Sequence, residues 1–416
     1  MKIASIATLA LVLLYMLFAL FRQLRTAHLD SQVNALRLQS FQEKVRYLGV
    51  QASRAEEKKQ GAWAGTRKFR VDKIVPEAEN ICSFYLVPHD GKSIPAYDPG
   101  QFLTFKLDVP GHDKPVVRCY SLSDTPLERG RYRVTIKRLG PPPKVPEAPA
   151  GVSSGYFHTV LAEGDMLDCK APGGNFYLDM GEHTPIVLIG GGIGVTPMLS
   201  MLRSVALSGS KRETWLFYGV RHKDEVVQAA HLRELAEQYE NIHVKLCFSD
   251  PRAGEDEPGR DYDYAQQVSV ELMHSMLPSS NYDYYICGPA PMMTAITGDL
   301  EDAGVPKAKI HYESFGPASV RPKPVAPAAD GVSHLINFAK SGRELNWTAA
   351  DGPILDFAER NGIELDCGCR AGSCGSCAIA VRDGAVEYIE EISVEPEEGS
   401  CLACLAVPTQ NLVIDA

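Results

Sequence analysis

The sequence IVLIGGGIGVTP, residues 186–197, determines the fold of the central part of the chain. Four apolar residues suited to a buried strand lead into a glycine-rich turn, and an apolar helical run follows. A strand, a glycine turn and a helix in this order form the usual cradle for a dinucleotide diphosphate. We therefore predict a nucleotide-binding turn that contains Gly191, Gly192, Gly194, Thr196 and Pro197.

The segments around this turn predict a parallel α/β domain over residues 182–317. Two helical stretches, Val226–Tyr239 and Met292–Ala303, separate apolar runs that have the length of buried strands. The strand candidates are Pro185–Ile189, Thr214–Tyr218, His243–Phe248 and Tyr284–Cys287.

Residues 66–181 have a different pattern, in which apolar and polar residues alternate in short runs. The run Tyr132–Ile136 is an example, and glycine and proline punctuate the whole segment. This pattern predicts an antiparallel β-barrel, with a β-sandwich as the alternative.

Residues 332–416 follow a Pro/Ala-rich linker, residues 318–331, which we predict to be extended. The spacing Cys369-x4-Cys374-x2-Cys377 with a distant Cys404 is that of a plant-type [2Fe–2S] cluster site. A structural zinc site is the alternative, which the asymmetric spacing and the single remote fourth cysteine disfavour.

The fourth cluster ligand has two candidates, Cys404 and Cys401. The run Leu402–Ala406 resembles the closing segment of plant-type ferredoxins and favours Cys404, so Cys401 and Cys367 are predicted to be packed or solvent-near thiols. Residues 332–416 resemble these ferredoxins along the whole segment, which implies an α+β, β-grasp-like fold. The segment Asp351–Asn361 would form the helix before the cluster loop.

The N-terminal run Ile3–Phe21 holds 19 residues without a charge, enough for a helix to cross a bilayer. Residues 1–22 are therefore predicted to be a transmembrane anchor, and a cleaved signal peptide is the alternative. The basic residues after the run predict a single-pass protein of the inner (cytoplasmic) membrane with its soluble domains in the cytoplasm. Residues 23–65 are predicted to be a helical stalk.

The charge is distributed unevenly over the 416 residues, whose formal net charge is −10. This acidic balance disfavours nucleic acid as a partner. Residues 333–416 hold fourteen acidic and five basic side chains, a net charge of about −9, so an electron-accepting protein partner should present a basic face.

The run Arg118-Cys119-Tyr120-Ser121 resembles the R-x-Y-S motif of the ferredoxin–NADP⁺ reductase superfamily. The resemblance implies that Arg118 neutralises a flavin diphosphate, Tyr120 flanks the isoalloxazine and Ser121 lies near its N5. The run GVSSGYFH, residues 151–158, resembles the second flavin segment of flavohaemoglobin reductase domains and favours FAD over FMN. Its phosphate-binding residues would be Gly151, Val152, Ser153 and Ser154.

Two further motifs resemble the nicotinamide side of the same superfamily. Cys287-Gly288-Pro289 matches its C-G-P motif, whose cysteine lies near the nicotinamide. The run from Glu313 to Phe315 resembles the end of flavohaemoglobin reductases, where Phe315 would cover the isoalloxazine.

Asp250, directly after Ser249, stands where NADPH-using relatives tend to carry arginine. A carboxylate suits the 2′-hydroxyl of NADH and repels a 2′-phosphate. The sequence therefore predicts NADH, with NADPH as the alternative because Arg221 and Arg252 are near in sequence.

Together these features predict a multidomain, membrane-anchored reductase that passes electrons from NADH through FAD and a [2Fe–2S] cluster to a partner protein. The partner would be an oxygenase, hydroxylase or desaturase, and Tyr120, Ser121, Cys287 and Phe315 would serve the hydride transfer. One alternative is direct reduction of a quinone, a ferric chelate or a hybrid-cluster protein. Another is a membrane redox sensor.

Overall fold

Three domains follow one another in the computed structural model. The residues that it describes are Met16, Arg22, Trp63, 65–113, 115–141, 150–315, 333–368, Arg370, Gly372, 375–389, Ile392 and 394–416. The predicted anchor, stalk and linker lie outside these residues, apart from Met16, Arg22, Trp63 and Gly65, and so do Cys369 and Cys374. Within the described part of the chain, no helix is long and apolar enough to cross a membrane.

The first domain is an antiparallel six-stranded sheet in the order β4-β3-β6-β1-β2-β5. Its two edges are joined by a bridge between Leu122 and Val134, which closes the sheet into the predicted barrel. Alternating burial in the first strand, where Phe69 and Val71 face inward, reflects the period of two in the sequence. The elements are β1 Arg67–Ala78, β2 Ile81–Pro88, β3 Phe102–Leu107, β4 Val116–Ser121, β5 Tyr132–Lys137, α1 Val152–Thr159 and β6 Met166–Cys169.

The second domain is a five-stranded parallel sheet in the order β11-β10-β7-β8-β9. Apolar clusters cover both faces, which explains why its strands have continuous apolar sequences. The order reverses between β7 and β10, so a crevice for a ligand opens at the carboxyl ends of these strands. The elements are β7 Ile186–Gly191, α2 Val195–Leu207, β8 Thr214–Val220, α3 Ala229–Gln238, β9 Ile242–Phe248, α4 Val270–His274, β10 Asp283–Cys287, α5 Ala290–Asp302 and β11 Ile310–Glu313.

One predicted helix boundary in this domain was wrong. Helix α3 begins at Ala229 and not at Val226, because Gln228 has a left-handed backbone with φ of 55°. That conformation interrupts a right-handed helix, so the apolar residues Val226 and Val227 pack as an extended segment.

The third domain has a mixed five-stranded sheet, β13-β12-β18-β14-β16, and a two-stranded sheet, β15-β17. Its helix α6 packs into the same apolar core as the strands, which gives the predicted α+β fold. The elements are β12 Ser333–Phe338, β13 Arg343–Thr348, α6 Ile354–Arg360, β14 Ala378–Asp383, β15 Val386–Tyr388, β16 Ser400–Leu402, β17 Ala406–Pro408 and β18 Leu412–Ile414.

Candidate functional site

The two predicted flavin segments lie side by side in the barrel. Strand β4 carries Arg118, Tyr120 and Ser121, and helix α1 carries Ser153. The hydroxyl oxygens of Tyr120 and Ser153 are 2.9 Å apart, within hydrogen-bonding distance. The ring of Tyr120 also packs edge-on against Phe157 of α1, with ring centroids 5.2 Å apart. The fold therefore joins two motifs that are 33 residues apart.

The Ser121 hydroxyl is a buried polar group in this region without a protein hydrogen-bond partner. Its side chain is 4% exposed, and no described residue bonds its Oγ. An unsatisfied buried hydroxyl costs about 1–3 kcal/mol, so an acceptor supplied by a ligand would stabilise it. This orphaned group fits a flavin bound beside β4.

Tyr120 stays a neutral phenol at physiological pH. Burial raises the pKa of Tyr120 to about 12, although the hydrogen bond with Ser153 and the nearby Arg118 act in the opposite direction. The ring therefore offers an uncharged face to a neighbouring aromatic system.

The start of α1 has the geometry of a phosphate cradle. A Cβ on Gly151 would lie 2.6 Å from Ser154 Oγ, so only glycine fits before the helix. The Ser154 hydroxyl is already used within the turn, because it donates to Gly151 O and accepts from Leu139 N. The first-turn backbone N–H groups, which include those of Val152 and Ser153, are therefore the better phosphate ligands.

Arg118 lies where the barrel meets the third domain. Its half-buried guanidinium donates to the carbonyl of Val117. The pKa of Arg118 is lowered by burial and then by the nearby Arg370, which belongs to the cluster loop. Two close guanidinium groups favour an anion between or beside them, and this fits a flavin diphosphate.

The glycine turn after β7 packs directly against the segment after β10. A Cβ on Gly194 would lie 2.2 Å from the carbonyl oxygen of Cys287, and one on Gly191 would lie 2.7 Å from Met292 Sδ. Gly192 has a φ of 53° and open space around it. The turn is therefore closed on the protein side and open at Gly192, as a diphosphate cradle requires.

Thr196 and Pro197 support this turn from inside the protein. The Thr196 hydroxyl donates to Ile193 O at 3.0 Å, and both side chains are buried in the first turn of α2. Both side chains therefore support the turn, and their part in coenzyme binding stays a prediction.

Cys287, at the end of β10, is fully buried and lies opposite Glu313 of β11. Burial raises the pKa of the Cys287 thiol well above its usual value, and Glu313 raises it further. Cys287 is thus a neutral thiol. Phe315 follows two residues after β11 with 40% of its surface exposed, so its ring is accessible to a ligand.

Gly288 and Pro289 connect Cys287 to the next helix. A Cβ on Gly288 would lie 3.1 Å from the backbone of Gly191, and Pro289 stands at the N-cap position of α5. The close approach of the two loops therefore favours glycine, and proline starts the helix without losing a hydrogen bond.

Asp250 lies at the carboxyl edge of the same sheet. It follows β9, its side chain is exposed, and its backbone N–H donates to Arg221 O at 3.0 Å. Asp250 and Arg221 are thus neighbours at the edge where the adenosine half of a dinucleotide would lie.

The predicted cluster cysteines that are described, Cys377 and Cys404, are both buried. A hydrogen bond from Ala403 N to Cys377 O joins the two segments that carry them. Gly372 and Gly375 of the cluster loop have φ values of 66° and 69°, which glycine adopts without strain. Cys404 lies in the turn between β16 and β17.

The two other cysteines near this loop are buried thiols. Cys401 lies within β16 opposite Ile379, with its pKa raised to about 12 by burial and by Cys377. Cys367 is 7% exposed, and the guanidinium of Arg370 lies 3.7 Å from its Sγ. These positions agree with their prediction as packed thiols.

Arg370 is a structural residue of the site that sequence reasoning missed. It lies between Cys369 and Ala371 with a φ of 56°, which is uncommon for a residue other than glycine. Its guanidinium pairs with Glu359 and with Asp356 of α6, so it ties the cluster loop to the helix. No local sequence pattern indicates this pairing.

Three family models match successive parts of the chain. The Oxidoreductase FAD-binding domain matches residues 69–177, and the Oxidoreductase NAD-binding domain matches residues 188–298. The 2Fe-2S iron-sulfur cluster binding domain matches residues 337–409. The order is the one predicted from the sequence.

Relatives of known sequence and structure match a large part of the chain. A flavohemoprotein of Halalkalibacterium halodurans is 38% identical over 277 residues, 65% of this chain and 66% of its own length. The flavohem-like FAD/NAD-binding domain of nitric oxide dioxygenase from Vibrio cholerae is 31% identical, with a TM-score of 0.53. It covers 61% of this chain and is itself covered completely.

Phthalate dioxygenase reductase, whose structure includes a [2Fe–2S] module, has the same fold over a longer part of the chain. The identity is 24%, the TM-score is 0.55, and the match covers 85% of this chain and 98% of that protein.

Proposed function

We propose that this chain, which belongs to the ferredoxin–NADP⁺ reductase superfamily and carries a C-terminal [2Fe–2S] domain, delivers electrons one at a time to a separate, basic protein. Its cofactors are FAD and the [2Fe–2S] cluster, and it is an NAD(P)H oxidoreductase. Beyond these properties, we propose the class of electron acceptor, the membrane anchor and the roles of individual side chains.

When bound, FAD takes a hydride from the reduced nicotinamide, and the cluster accepts electrons singly. The protein supplies binding and orientation. We expect the Ser121 hydroxyl to donate a hydrogen bond to the flavin, and the Tyr120 ring to hold the isoalloxazine plane. The neutral Cys287 thiol would line the nicotinamide position, and Phe315 would leave the flavin when the nicotinamide enters.

The observation that carries the relay is the position of β4. The strand that holds Tyr120 and Ser121 also packs onto the third domain, where Val117 contacts the apolar core that contains Cys377 and Cys404. Lys170 of the barrel and Asp366 form an ion pair across the same boundary at 2.5 Å. A flavin beside β4 would therefore lie next to the cluster domain.

Charge near the cluster loop supports a basic acceptor. Ile392 and Val394 pack beside Gly372 and Gly375 of that loop. The same segment of chain carries the exposed carboxylates Glu387, Glu395, Glu397 and Glu398. A partner with lysine or arginine at its docking face would be attracted to this side of the domain, and an oxygenase, hydroxylase or desaturase component is the class we favour.

We also propose that residues 1–22 anchor the protein in the cytoplasmic membrane. The uncharged run Ile3–Phe21 and the basic residues after it support this orientation. The acceptor would then be in or at the same membrane. Fractionation of cells that express the full chain tests this, since recovery in the salt-washed soluble fraction would contradict it.

The relay is tested by anaerobic titration of the full-length protein in detergent with NADH. We expect flavin bleaching followed by a rhombic EPR signal with an average g just below 2. Flavin bleaching without a cluster signal in an iron-replete sample would contradict the relay.

Protein docking is tested with two artificial acceptors, cytochrome c, which is basic, and ferricyanide, which is a small anion. Cytochrome c reduction should slow as salt screens the acidic face, while ferricyanide reduction should not. The triple variant E395Q/E397Q/E398Q should reduce cytochrome c more slowly at low salt. Equal salt dependence for both acceptors would favour direct reduction of small molecules.

A further inference from the structure

The carboxyl edge of the second sheet contains an arginine that is held by a carboxylate. Strands β8 and β9 end together, and their chains stay paired beyond the sheet through Ser249 N to Val220 O and Asp250 N to Arg221 O. Arg221 and Asp250 are therefore adjacent at the edge where the adenosine ribose of the coenzyme is expected.

Arg221 does not extend freely toward that position. Its Nη2 and Nε lie 2.5 Å and 3.1 Å from Glu225 Oε1, and its backbone N–H donates to Glu225 Oε2. Glu225 is only 5% exposed and also pairs with Lys137 of the barrel at 3.1 Å. The carboxylate thus fixes both the backbone and the guanidinium of Arg221.

The second arginine of this edge is held in the same way. Arg252 Nη1 lies 2.8 Å from Asp224 and 3.1 Å from Glu255, and Nη2 lies 3.4 Å from Asp256. Both arginines that could bind a 2′-phosphate are therefore already paired with carboxylates.

We propose that Glu225 is a specificity-determining residue that holds Arg221 away from the ribose 2′ position and so makes the enzyme select NADH over NADPH. A 2′-phosphate needs an arginine that is free to bind it through two hydrogen bonds. To recruit the Arg221 guanidinium it would have to break two charge-assisted hydrogen bonds, which would leave the buried Glu225 with only Lys137 and the Arg221 backbone N–H. A 2′-hydroxyl makes no such demand and can donate to Asp250. The proposal rests on the NAD(P)H-reductase function.

The test is Glu225→Gln in the full-length protein, assayed with ferricyanide so that the acceptor protein plays no part. Once Arg221 is released from Glu225, its charge-assisted hydrogen bond to the 2′-phosphate should raise kcat/KM for NADPH about tenfold. The value of kcat/KM for NADH should change much less. Calorimetry should also show tighter binding of 2′,5′-ADP, with little change for 5′-AMP. Glu237→Gln, which removes an exposed carboxylate from α3, is the matched control.

The double variant E225Q/R221A tests whether Arg221 is the residue responsible for a gain in NADPH use. If Arg221 binds the phosphate once it is released, this variant should return the NADPH and 2′,5′-ADP values to those of the wild type. A gain that persists without Arg221 would overturn the proposal, as would an E225Q protein with normal flavin content and unchanged NADPH values.

Arg221→Ala alone keeps the proposal testable if E225Q does not fold. With Arg221 already held by Glu225, its removal should leave 2′,5′-ADP binding about as in the wild type. A roughly tenfold loss would mean that Arg221 binds the phosphate in the wild type, and the proposal would be wrong. A wild type that oxidises neither coenzyme would instead contradict the proposed function itself.

Discussion

At the scale of single residues, the proposed flavin site contains a buried hydroxyl that has no hydrogen-bond partner among the described residues. Ser121 Oγ is buried in a strand end where Tyr120 and Ser153 already bond each other. A buried hydroxyl without an acceptor lowers the stability of the protein, so a ligand that accepts a hydrogen bond from it would restore that stability. The expected acceptor is the flavin.

Ser121→Ala should fold normally and bind FAD but reduce it more slowly with NADH. Loss of a hydrogen bond of about 1.4 kcal/mol in the transition state corresponds to a tenfold lower rate. Stopped-flow measurement of flavin bleaching tests this, with the exposed Ser93→Ala as the control. Equal rates in the two variants, at equal flavin content, would rule out a role for the hydroxyl.

The choice of the fourth cluster ligand is also a single-residue question. Cys404→Ala should remove the [2Fe–2S] visible and EPR signals, because three thiolates cannot hold two irons in this arrangement. Cys401→Ala should keep both signals and only lose some stability, since Cys401 packs in the core. The reverse result would assign Cys401 as the ligand.

Glu225 should also make stability depend on acid pH. Burial by itself raises the pKa of Glu225, but the hydrogen bonds from Arg221 and Lys137 outweigh it and lower the pKa to about 2, below its ordinary 4.5. The stabilisation is therefore complete above about pH 4.5 and is lost as the pH falls toward 2. Urea unfolding of wild type and E225Q should show a free-energy difference at pH 6 that shrinks through this window. A difference independent of pH would contradict this.

At the scale of elements, the glycine turn after β7 works because it packs against the loop after β10. A Cβ on Gly191 would lie 2.8 Å from Pro289 Cδ, and one on Gly194 would lie 2.2 Å from Cys287 O. The turn and the segment Cys287–Pro289 therefore form one packed unit.

Gly194→Ala should disrupt coenzyme binding far more than folding of the barrel. Its Cβ would meet the carbonyl of Cys287 at 2.2 Å, and a shift of about 1 Å in the turn can cost on the order of a hundredfold in kcat/KM. Gly298→Ala, in the open interior of α5, is the control and should stabilise the protein by about 0.5–1 kcal/mol. Similar kinetics for both variants would show that the close packing is not required.

At the scale of the whole molecule, buried polar contacts fix the barrel against the second domain. Asp124 of the barrel, 4% exposed, lies 2.9 Å from Arg203 of α2, and Ser200 donates to its backbone carbonyl. Removing one partner of a buried ion pair costs about 3–5 kcal/mol. The contact between Asp124 and Arg203 therefore helps to hold the first and second domains, and with them the proposed flavin and nucleotide sites, in a fixed relative position.

The contact between the barrel and the third domain includes the apolar side chain of Val117. Val117→Asp would place a carboxylate against the ferredoxin core, which costs more than the about 1–3 kcal/mol of a neutral polar group, so the docked fraction should fall at least about tenfold. Cluster reduction should slow by a similar factor while flavin reduction by NADH is unchanged. Val160→Asp, at a half-exposed position on the barrel, is the charge-matched control. Unchanged cluster kinetics in Val117→Asp would place the electron path elsewhere.

Sequence reasoning identified those features that short segments encode. The order of the domains, the glycine turn at 190–194, the cysteine spacing of the cluster loop and the C-G-P segment each depend on residues close together in the chain. Each of these features has a local physical cause. Glycine allows backbone conformations that other residues avoid, ligand cysteines need a fixed spacing, and strands and helices repeat their apolar side chains with different periods. The start of α3 was missed because the left-handed backbone at Gln228 is not apparent from apolar spacing.

The sequence by itself therefore determined the type and order of the three domains and the residues most suited to hold their cofactors. Only the tertiary structure decided how these residues combine. The pairing of Tyr120 with Ser153, the hold of Glu225 on Arg221 and the packing of Val117 on the cluster domain all join residues through space. Such contacts depend on burial, which removes competing water and makes each pairing strong, and burial is a property of the folded chain.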